Sequence, residues 1–574
     1  YVPVGFQGGL TGALFTEFAF TLAGAVTVSA VIALTLSPMN CAWLLRKTER
    51  DATNWEARLV RTIDHVLEWL SGAYRRRLEA VFTMKPVAAV FALLLLAGIP
   101  WLYTTSTSEL APDEDQGVVL SLTTSAPSAT LQQRQFYSQQ IYDLVAKRSE
   151  TKTLFQIDTP TQAIGGWVLK PWDQRSLTTK TLQPDFQALL NTIAGTRSVA
   201  FQPSPLPGSN GLPIQFVIGT TGSYNELDRV SRDFMVRALE SGQFIFLDTD
   251  LKIDRPQTLV AFDRDKAGDL GLKMSDLGGA LATLLGGNYL DYFSLDGRSY
   301  KVIPQAKQND RLTADQLLGY YIRASDNSMV PLSTVAHLEN RTVPQSRNHF
   351  QQINAATISG VAMPTVSMGS ALATLKDLAK SLPAGYTIDF GGASRQLEQE
   401  SGGFVTTFGF AVIIIFLALA ALFNSFLDPV VILVSVPMSL AGALIFISLG
   451  IGGASLNIYT QVGLLTLMGL VSKHGILMVE VANELRAAGK GVTEAIIEAA
   501  TIRLRPILMT TAAMVLGVVP LITASGAGAV SRYNMGLVIA TGLSIGTLFT
   551  LFVVPVAYVL ITRPAAARTE PVHA

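Results

Sequence analysis

A lysine and a histidine lie side by side, as Lys473 and His474, in a part of the chain that is otherwise poor in charge. The preceding charged residue is Asp428, and an apolar run from Gly475 to Val479 follows. An ammonium group inside an apolar helix costs about 3 kcal/mol on insertion scales and is usually paired or directed toward a polar path. Such a lysine can act as a switch, because carboxylates that gain and lose protons can balance its charge.

The position of Lys473 admits a second interpretation. It lies about 16 residues, or roughly 24 Å, into its predicted helix, so its side chain could reach the cytoplasmic interface by snorkelling.

On the next apolar segment, Thr510 and Thr511 could line a polar track or bond to carbonyls of their own helix. Arg503 is most simply a cytoplasmic anchor. No carboxylate lies mid-span, so we expect the acidic partners of Lys473 in a preceding part of the protein.

Motifs for several other chemistries are missing. The chain has no G-x-x-x-x-G-K-S/T loop for ATP phosphates and no H-E-x-x-H zinc motif, and its five histidines are scattered. Cys41 is the single cysteine, which excludes an internal disulfide framework and a multi-cysteine metal site. The 43 Lys and Arg residues balance 43 Asp and Glu residues, whereas a nucleic-acid binder carries a basic surplus. We therefore expect no metal, no cofactor and no nucleic-acid partner.

The distribution of charge predicts a membrane protein. Charged residues make up only 15% of the 574 residues, whereas soluble proteins carry roughly 25%. Seven charge-poor segments reach the length of about 20 residues that a bilayer-spanning helix needs. The predicted spans are 18–44, 86–104, 404–424, 429–449, 457–483, 507–525 and 535–562.

Basic residues predict how these spans are oriented. They concentrate between the first two spans and after residue 483, which places both regions in the cytoplasm and the long insert, about 105–400, on the far side. Within the first basic region, apolar residues recur at helical spacing over 50–80 and predict an amphipathic helix on the cytoplasmic membrane surface; a solvated connector is the alternative. The chain starts with Tyr1 and an apolar stretch, so we expect a fragment whose N-terminal part is missing.

The insert reads as repeated strand–helix–strand units. Strand-like runs near Val118, Ile214 and Ile353 are each followed by a helical pattern and a further strand-like run. The second helix opens at Ser223 with a capping-box pattern. The predicted fold class is therefore an α-helical polytopic membrane protein with an α+β insert of ferredoxin-like split βαβ units.

Several longer motifs resemble the resistance-nodulation-division (RND) efflux pumps, and within them the hydrophobe/amphiphile multidrug exporters. The resemblance covers essentially the whole chain in matching order. The motifs are Leu36–Cys41, Pro112–Gly117, Gln461–Leu465, Gly469–Lys473 and Arg503–Thr510. By this resemblance the chain is the C-terminal half of such a pump.

The resemblance implies a domain plan. It assigns 1–8 to the end of a preceding transmembrane helix, 105–211 to a first periplasmic porter subdomain, 212–248 with 342–400 to a second, and 249–341 to a docking subdomain. Residues 404–562 would form five transmembrane helices and 563–574 a cytoplasmic tail.

The resemblance also implies a mechanism. Such pumps are not enzymes but proton antiporters of the bacterial inner membrane. They are homotrimers that export amphiphilic compounds together with a periplasmic adaptor and an outer-membrane channel, driven by the proton gradient without a cofactor. Lys473, Arg503 and Thr510 match the proton-relay positions of the family, and His474 stands beside them. In relatives, the lysine pairs with two aspartates of a helix that is not in this chain.

The resemblance is weaker for the residues that would contact substrate than for the proton-relay residues. Phe155 and Phe201 match positions of the aromatic pocket in multidrug relatives, whereas the loop at 158–166 is shorter and lacks their phenylalanines. Trp167 could supply stacking area instead. Ordinary core packing is the alternative for all three aromatic residues.

Two other functions remain open at this level. A heavy-metal exporter of the same superfamily would need soft ligands, for which scattered methionines could be offered: Met274, Met329, Met363 and Met368. A scaffold subunit that pairs with an active homologue and does not itself transport is the other alternative.

Overall fold

The computed structural model describes residues 5, 8–44, 55–159, 162–400 and 402–562. Most of the predicted segment 1–8, the first residues of the predicted segment 50–80 and the predicted tail 563–574 lie outside the described residues. Within the described residues, long helices form the two ends of the chain and a mixed block of strands and helices lies between them.

Seven helical segments of the described chain are long and apolar enough to cross a membrane. Each of the seven predicted spans overlaps one of them. They are Gly9–Leu44, Pro86–Thr105, Gly392–Phe423, Leu427–Ser448, Ile458–Ala487, Val492–Ile522 and Ala529–Ile561.

The described part of the N-terminal block contains four long or medium-length helices. They are α1 (Gly9–Leu34), α2 (Leu36–Leu44), α3 (Trp55–Thr83) and α4 (Lys85–Thr105). Helix α3 contains most of the predicted amphipathic segment. Its C-terminal half packs against protein, since Tyr74 and Leu78 are buried and the Tyr74 hydroxyl donates to the Leu551 carbonyl at 2.6 Å.

The first sheet unit of the insert has the element order strand, helix, strand, strand, helix, strand. Its four strands are antiparallel in the order β2-β3-β1-β4, and both helices pack on one face of this sheet over Trp167 and Phe186. The elements are β1 (Val118–Ser125), α5 (Leu131–Val145), β2 (Thr151–Asp158), β3 (Ala163–Leu169), α6 (Thr179–Asn191) and β4 (Thr196–Phe201).

The second sheet unit is interrupted by an inserted region. It begins with β5 (Ile214–Thr220), α7 (Tyr224–Glu240) and β6 (Phe244–Thr249), and it resumes with β13 (Asn348–Phe350), β14 (Ile353–Ala362), α10 (Met368–Ala379) and β15 (Tyr386–Phe390). Strands β14 and β5 pair in the middle of the sheet. As the capping pattern predicts, the Ser223 side chain accepts a hydrogen bond from the Glu226 N–H at the start of α7.

The inserted region is built on one long antiparallel pair, formed by β7 and β12. A hairpin of β8 and β9 has all of its strand residues exposed. The elements are β7 (Ile253–Phe262), α8 (Arg264–Asp269), α9 (Met274–Leu284), β8 (Asp291–Leu295), β9 (Arg298–Val302), β10 (Tyr321–Arg323), β11 (Met329–Pro331) and β12 (Ala336–Pro344).

The C-terminal block is a bundle of helices around α17. Helix α17 contacts α14, α15 and α16 along its length. The helices are α11 (Gly392–Glu400), α12 (Gly403–Phe423), α13 (Leu427–Leu433), α14 (Ser435–Ser448), α15 (Ile458–Ala487), α16 (Val492–Ile522) and α17 (Ala529–Ile561).

Several helices extend beyond the predicted spans. Helix α1 begins at Gly9 rather than at residue 18, and α16 begins at Val492 rather than at residue 507. The charge-gap criterion detects only the apolar portion of a helix. Backbone hydrogen bonding continues into polar sequence, so charged residues such as Glu494 lie in the first turns of α16.

Small residues allow the central helices to approach closely, as is common in membrane bundles. A Cβ on Gly546 would lie 2.2 Å from Ser439 Oγ and 2.8 Å from Ser439 Cα.

Gly542 and Gly546 also flank Ser544 with the G-x-S-x-G spacing of a serine-hydrolase motif. Ser544 is exposed in the middle of a continuous helix, so this spacing reflects helix packing and does not create a nucleophile.

The segment after α4 is held to the bundle by backbone pairing and by the carboxylate of Glu109, among other contacts. The Leu456 N–H donates to the Thr107 carbonyl at 2.7 Å, and the Glu109 N–H donates to the Leu456 carbonyl at 3.1 Å. The Ser455 hydroxyl donates to the Glu109 carboxylate. Burial raises the pKa of Glu109 to about 7, although the bond from Ser455 acts in the opposite direction.

We expect Gly546→Ala to destabilise the bundle by about 1–3 kcal/mol, because its Cβ would collide with the α14 backbone. Gly517→Ala on α16 is the matched control, since a Cβ there meets nothing within 4 Å. Thermal unfolding in detergent measures the difference. Equal melting temperatures for the two variants would contradict close α14–α17 packing.

The raised pKa of Glu109 predicts a pH-dependent stability. Between about pH 4.5 and 7 the folded protein retains a proton that the unfolded chain has released, so stability falls as pH rises through this window. Glu109→Gln should remove this contribution and raise the melting temperature at neutral pH relative to the unsubstituted chain. The exposed Glu240→Gln is the control, and an unchanged pH slope in Glu109→Gln would exclude the effect.

Candidate functional site

Lys473 lies in the middle portion of α15 and is partly buried against α16. Its Nζ donates to Met514 Sδ at 3.3 Å. Among the described residues, no carboxylate lies within ion-pair distance of this ammonium group. A thioether is a weak acceptor, so the described chain places a cation in an apolar bundle without an anion to balance it.

His474 joins three helices through two hydroxyl groups. The side chain is 0% exposed. Its Nε2 lies 3.3 Å from Thr511 Oγ1 on α16, and its Nδ1 lies 3.4 Å from Thr547 Oγ1 on α17. The two hydroxyl oxygens are 3.2 Å apart and close the ring of contacts. A hydroxyl can donate or accept, so this ring can satisfy either tautomer of the imidazole.

Further polar atoms on the helices that carry Lys473 and the His474 ring have no partner within the described structure. They are the buried Thr466 Oγ1 on α15, Thr550 Oγ1 on α17 and Arg503 Nε on α16. Buried polar groups are ordinarily hydrogen-bonded to protein or water. The bundle therefore has unused hydrogen-bonding capacity on the same three helices that carry Lys473 and the His474 ring.

The structure shows different hydrogen bonds for Thr510 and Thr511, the two threonines whose roles the sequence did not decide. Thr510 Oγ1 donates to the Ile507 carbonyl of its own helix at 3.1 Å, whereas Thr511 faces His474. Thr547 was not singled out from the sequence. The available signal was a pair of threonines, Thr547 and Thr550, spaced for one face of an otherwise apolar helix.

A second candidate site is a cavity of about 340 Å³ in the first sheet unit. This volume falls within the range of small-molecule sites. It lies where α5 meets β2 and β3, and its lining mixes apolar side chains with polar ones. The lining includes Ser121, Ser138, Gln139, Tyr142, Leu154, Phe155, Asp158, Gly165, Gly166 and Phe186.

Phe155 is the predicted pocket residue that lines this cavity. It is 43% exposed, and its ring lies so close over β3 that a Cβ on Gly166 would approach Phe155 Cε1 to 2.0 Å. The absence of a side chain at Gly166 therefore creates the space for the ring. The large exposed aromatic surface is suited to stacking against an apolar ligand.

Trp167 and Phe201 are core residues and do not line the cavity. Trp167 is 1% exposed, packs on Phe186 at 5.3 Å between ring centroids and donates from Nε1 to Thr151 Oγ1 at 2.9 Å. Phe201 is buried in a cluster with Phe246 and Val361 between the two sheet units. These two aromatics thus occupy the core positions that the sequence analysis kept as its alternative.

The predicted loop at 158–166 is mostly strand. Strand β2 ends at Asp158 and β3 begins at Ala163, and these two residues are paired across the ladder. Thr159 closes the connection, since its N–H donates to the Gln162 carbonyl at 2.9 Å. Residues 160–161 lie outside the described residues.

The methionines considered as soft metal ligands lie on different parts of the insert. Met274 and Met329 belong to the inserted region, while Met363 and Met368 belong to the second sheet unit. The described part of the chain contains no group of three or more His, Cys, Asp or Glu residues that could hold a metal ion.

In the part of the chain that the structure describes, seven membrane-length helical segments and a large mixed insert define a polytopic membrane protein, and an ammonium group lies inside its helix bundle. A family model described as the AcrB/AcrD/AcrF family matches residues 1–562. The chain therefore belongs to this family of RND transporters.

Individual relatives agree with this assignment. The chain is 41% identical to an uncharacterized transporter of Haemophilus influenzae over 97% of this chain and 55% of that protein. It is 29% identical to the multidrug/solvent efflux pump membrane transporter MepB of Pseudomonas putida, over 98% of the chain and 55% of that protein. It is 28% identical to the multidrug export protein AcrF of Escherichia coli, over 98% of the chain and 56% of that protein. The chain spans about half the length of these relatives.

The packing of Phe155 on Gly166 predicts a way to alter the cavity without disturbing the core. Gly166→Ala should push the ring away from β3 and change the affinity for an amphiphilic dye, while melting changes little because the exposed ring can move. Gly278→Ala on α9 is the control, since a Cβ there meets nothing within 4 Å. Fluorescence polarisation of ethidium measures binding, and identical affinities would exclude this cavity as the binding site.

Proposed function

We propose that this chain works as part of a proton-driven exporter of amphiphilic drugs or other hydrophobic small molecules, in the inner membrane of a Gram-negative cell. The observation that carries the proposal is the position of Lys473, whose ammonium group lies inside the helix bundle with Met514 as its polar neighbour. Ionisable groups in such positions commonly mark proton pathways. Membership of the RND family supports this interpretation.

In this proposal, Lys473 responds to protonation elsewhere. Carboxylates outside this chain would attract the ammonium group when ionised and release it when protonated. Each change alters the cost of keeping the cation in the bundle. The lysine would then shift relative to α16, and the neighbouring His474 ring would carry the displacement to α17. Arg503 and Thr510 are proposed as further relay residues on α16.

The cavity beside Phe155 is the proposed substrate contact on the extracytoplasmic side. Its exposed ring offers apolar area, and the polar side chains of α5 and β2 can hydrogen-bond a head group. This mixture fits an amphiphile better than a uniformly polar solute.

We further propose that the insert is periplasmic. The element order and antiparallel strand order of the first sheet unit support its assignment as a ferredoxin-like split βαβ porter subdomain. The second sheet unit would be the other porter subdomain, and the inserted region built on β7 and β12 would dock to other components. A homotrimer that works with a periplasmic adaptor and an outer-membrane channel is the proposed assembly.

Substitution of the lysine tests the proposal. In the intact transporter reconstituted in liposomes, Lys473→Ala should lower substrate-dependent proton flux by about 10²-fold, within the usual range of coupling between sites, because the carboxylates outside this chain lose the cation that balances them. Lys473→Arg tests whether charge alone suffices. The exposed Lys380→Ala in the insert is the control.

The outcomes separate the possible functions. Normal flux in a well-folded Lys473→Ala variant would reject the relay role. An intact protein that moves neither protons nor dye by itself would favour the scaffold subunit, and metal-stimulated flux would favour export of a heavy metal.

A further inference from the structure

Glu114 ties the segment between α4 and β1 to the start of α17. Its carboxylate accepts hydrogen bonds from the Val530 N–H at 3.3 Å, the Ser531 N–H at 2.6 Å and the Ser531 hydroxyl at 2.6 Å. These N–H groups belong to the first turn of α17, where helical N–H groups lack partners within the helix. Glu114 therefore caps a membrane-spanning helix from outside that helix, with the favourable sign for the helix dipole.

Asp115, the next residue, ties the same segment to the first sheet unit. It accepts hydrogen bonds from Arg175 Nη2 at 2.5 Å, from the Thr179 N–H at 3.2 Å and from the Gly117 N–H at 3.0 Å. Burial by itself would raise the pKa of Asp115, but the bonds from Arg175, Gly117 and Thr179 outweigh it and hold the pKa below its ordinary value. Thr179 is the first residue of α6, so Asp115 caps that helix.

Arg175 makes this second attachment rigid. Its side chain is only 2% exposed. Besides Asp115, its guanidinium donates to the Lys170 carbonyl at 2.9 Å and to the Leu177 carbonyl at 2.5 Å. The arginine thus fixes Asp115 to the loop between β3 and α6.

Each capped helix leads to one of the two candidate sites. Helix α17 is continuous from Ala529 to Ile561 and carries Thr547, which contacts His474 about 24 Å along the axis from Ser531. Helix α6 carries Phe186, which lines the cavity of the first sheet unit. Strand β1, which supplies Ser121 to the same cavity, begins directly after this segment.

We propose that Glu114 and Asp115 are positioning residues that transmit movement of α17 to the cavity beside Phe155. The inference rests on the proposed transport function. Adjacent Cα atoms are about 3.8 Å apart, so the starts of α17 and α6 cannot separate without breaking a charge-assisted hydrogen bond at one of the two residues. A displacement of α17 at the His474 ring therefore reaches α6 and β1 through two consecutive side chains.

The test separates substrate binding from coupling. The intact transporter is reconstituted in liposomes, and ethidium binding and ethidium-dependent proton flux are measured on the same preparations. Glu114→Ala should leave the binding affinity within about twofold and lower the flux about tenfold, within the usual range of coupling between sites. Asp115→Asn should act in the same direction.

A matched control removes a cap elsewhere. Asp263 caps α8 in the inserted region by accepting a hydrogen bond from the Lys266 N–H at 3.1 Å, and it has no contact with α17 or α6 among those described. Asp263→Ala should retain normal flux. The conservative Glu114→Gln keeps one acceptor oxygen and should restore part of the flux.

The readouts distinguish failure of this inference from failure of the proposed function. If the unsubstituted transporter shows no ethidium-dependent proton flux, the proposed function itself is wrong. If it shows flux and Glu114→Ala retains that flux, or loses binding and flux in parallel, the positioning role is wrong. Where Glu114→Ala does not fold, Ser531→Ala removes only the hydroxyl donor, and normal flux in that folded variant would equally overturn the role.

Discussion

The helix bundle depends on one constraint: inside a membrane, a polar side chain has only other protein groups to satisfy it. His474 meets this constraint by contacting hydroxyls on two neighbouring helices, Thr511 on α16 and Thr547 on α17. Such contacts require the helices to lie close together in a fixed register. A glycine of α17 makes this close approach to α15 possible, since a Cβ on Gly542 would lie 2.2 Å from Leu467 Cδ2 on α15.

Lys473 is the group for which the described chain does not meet the constraint. Its ammonium group finds a thioether, and Arg503 Nε and the Thr466 hydroxyl find no partner among the described residues. An unbalanced cation in a membrane bundle that also contains unused hydrogen-bonding groups is costly. This arrangement agrees with the proposed proton coupling, in which a counter-charge from outside this chain would come and go.

Much of the fold could be predicted from the sequence because a helix that crosses a bilayer needs about 20 residues with few charges. The charge gaps located all seven helical segments, yet they missed the first turns of α16 from Val492, because nothing forces a helix to end where the bilayer does. In the insert, apolar alternation predicted strands such as β5 and β14, but it could not predict that they are neighbours in one sheet. Strand order depends on long-range pairing that local pattern does not contain.

The candidate site could be predicted only where composition made a residue unusual. A lysine and a histidine in an apolar run are conspicuous, whereas the choice between Thr510 and Thr511 turns on a rotation of about 100° around the helix. Packing against α17 decides that rotation. Trp167 and Phe201 show the same limit for strands, since their aromatic character did not reveal that both rings are buried in the core and do not line the cavity.

The segment from Glu109 to Asp115 carries its acidic residues for structural reasons that only the folded chain reveals. Each of the three carboxylates that accept hydrogen bonds there serves a different element: Glu109 the Ser455 loop, Glu114 the start of α17 and Asp115 the start of α6. Helix starts attract carboxylates because their N–H groups are unpaired and their dipoles are positive. A short acidic run can therefore gather the ends of several elements at one junction. In this chain that junction connects the helix carrying Thr547 to the sheet unit carrying Phe155. The two candidate sites share no residue, but both are attached to the segment from Glu109 to Asp115.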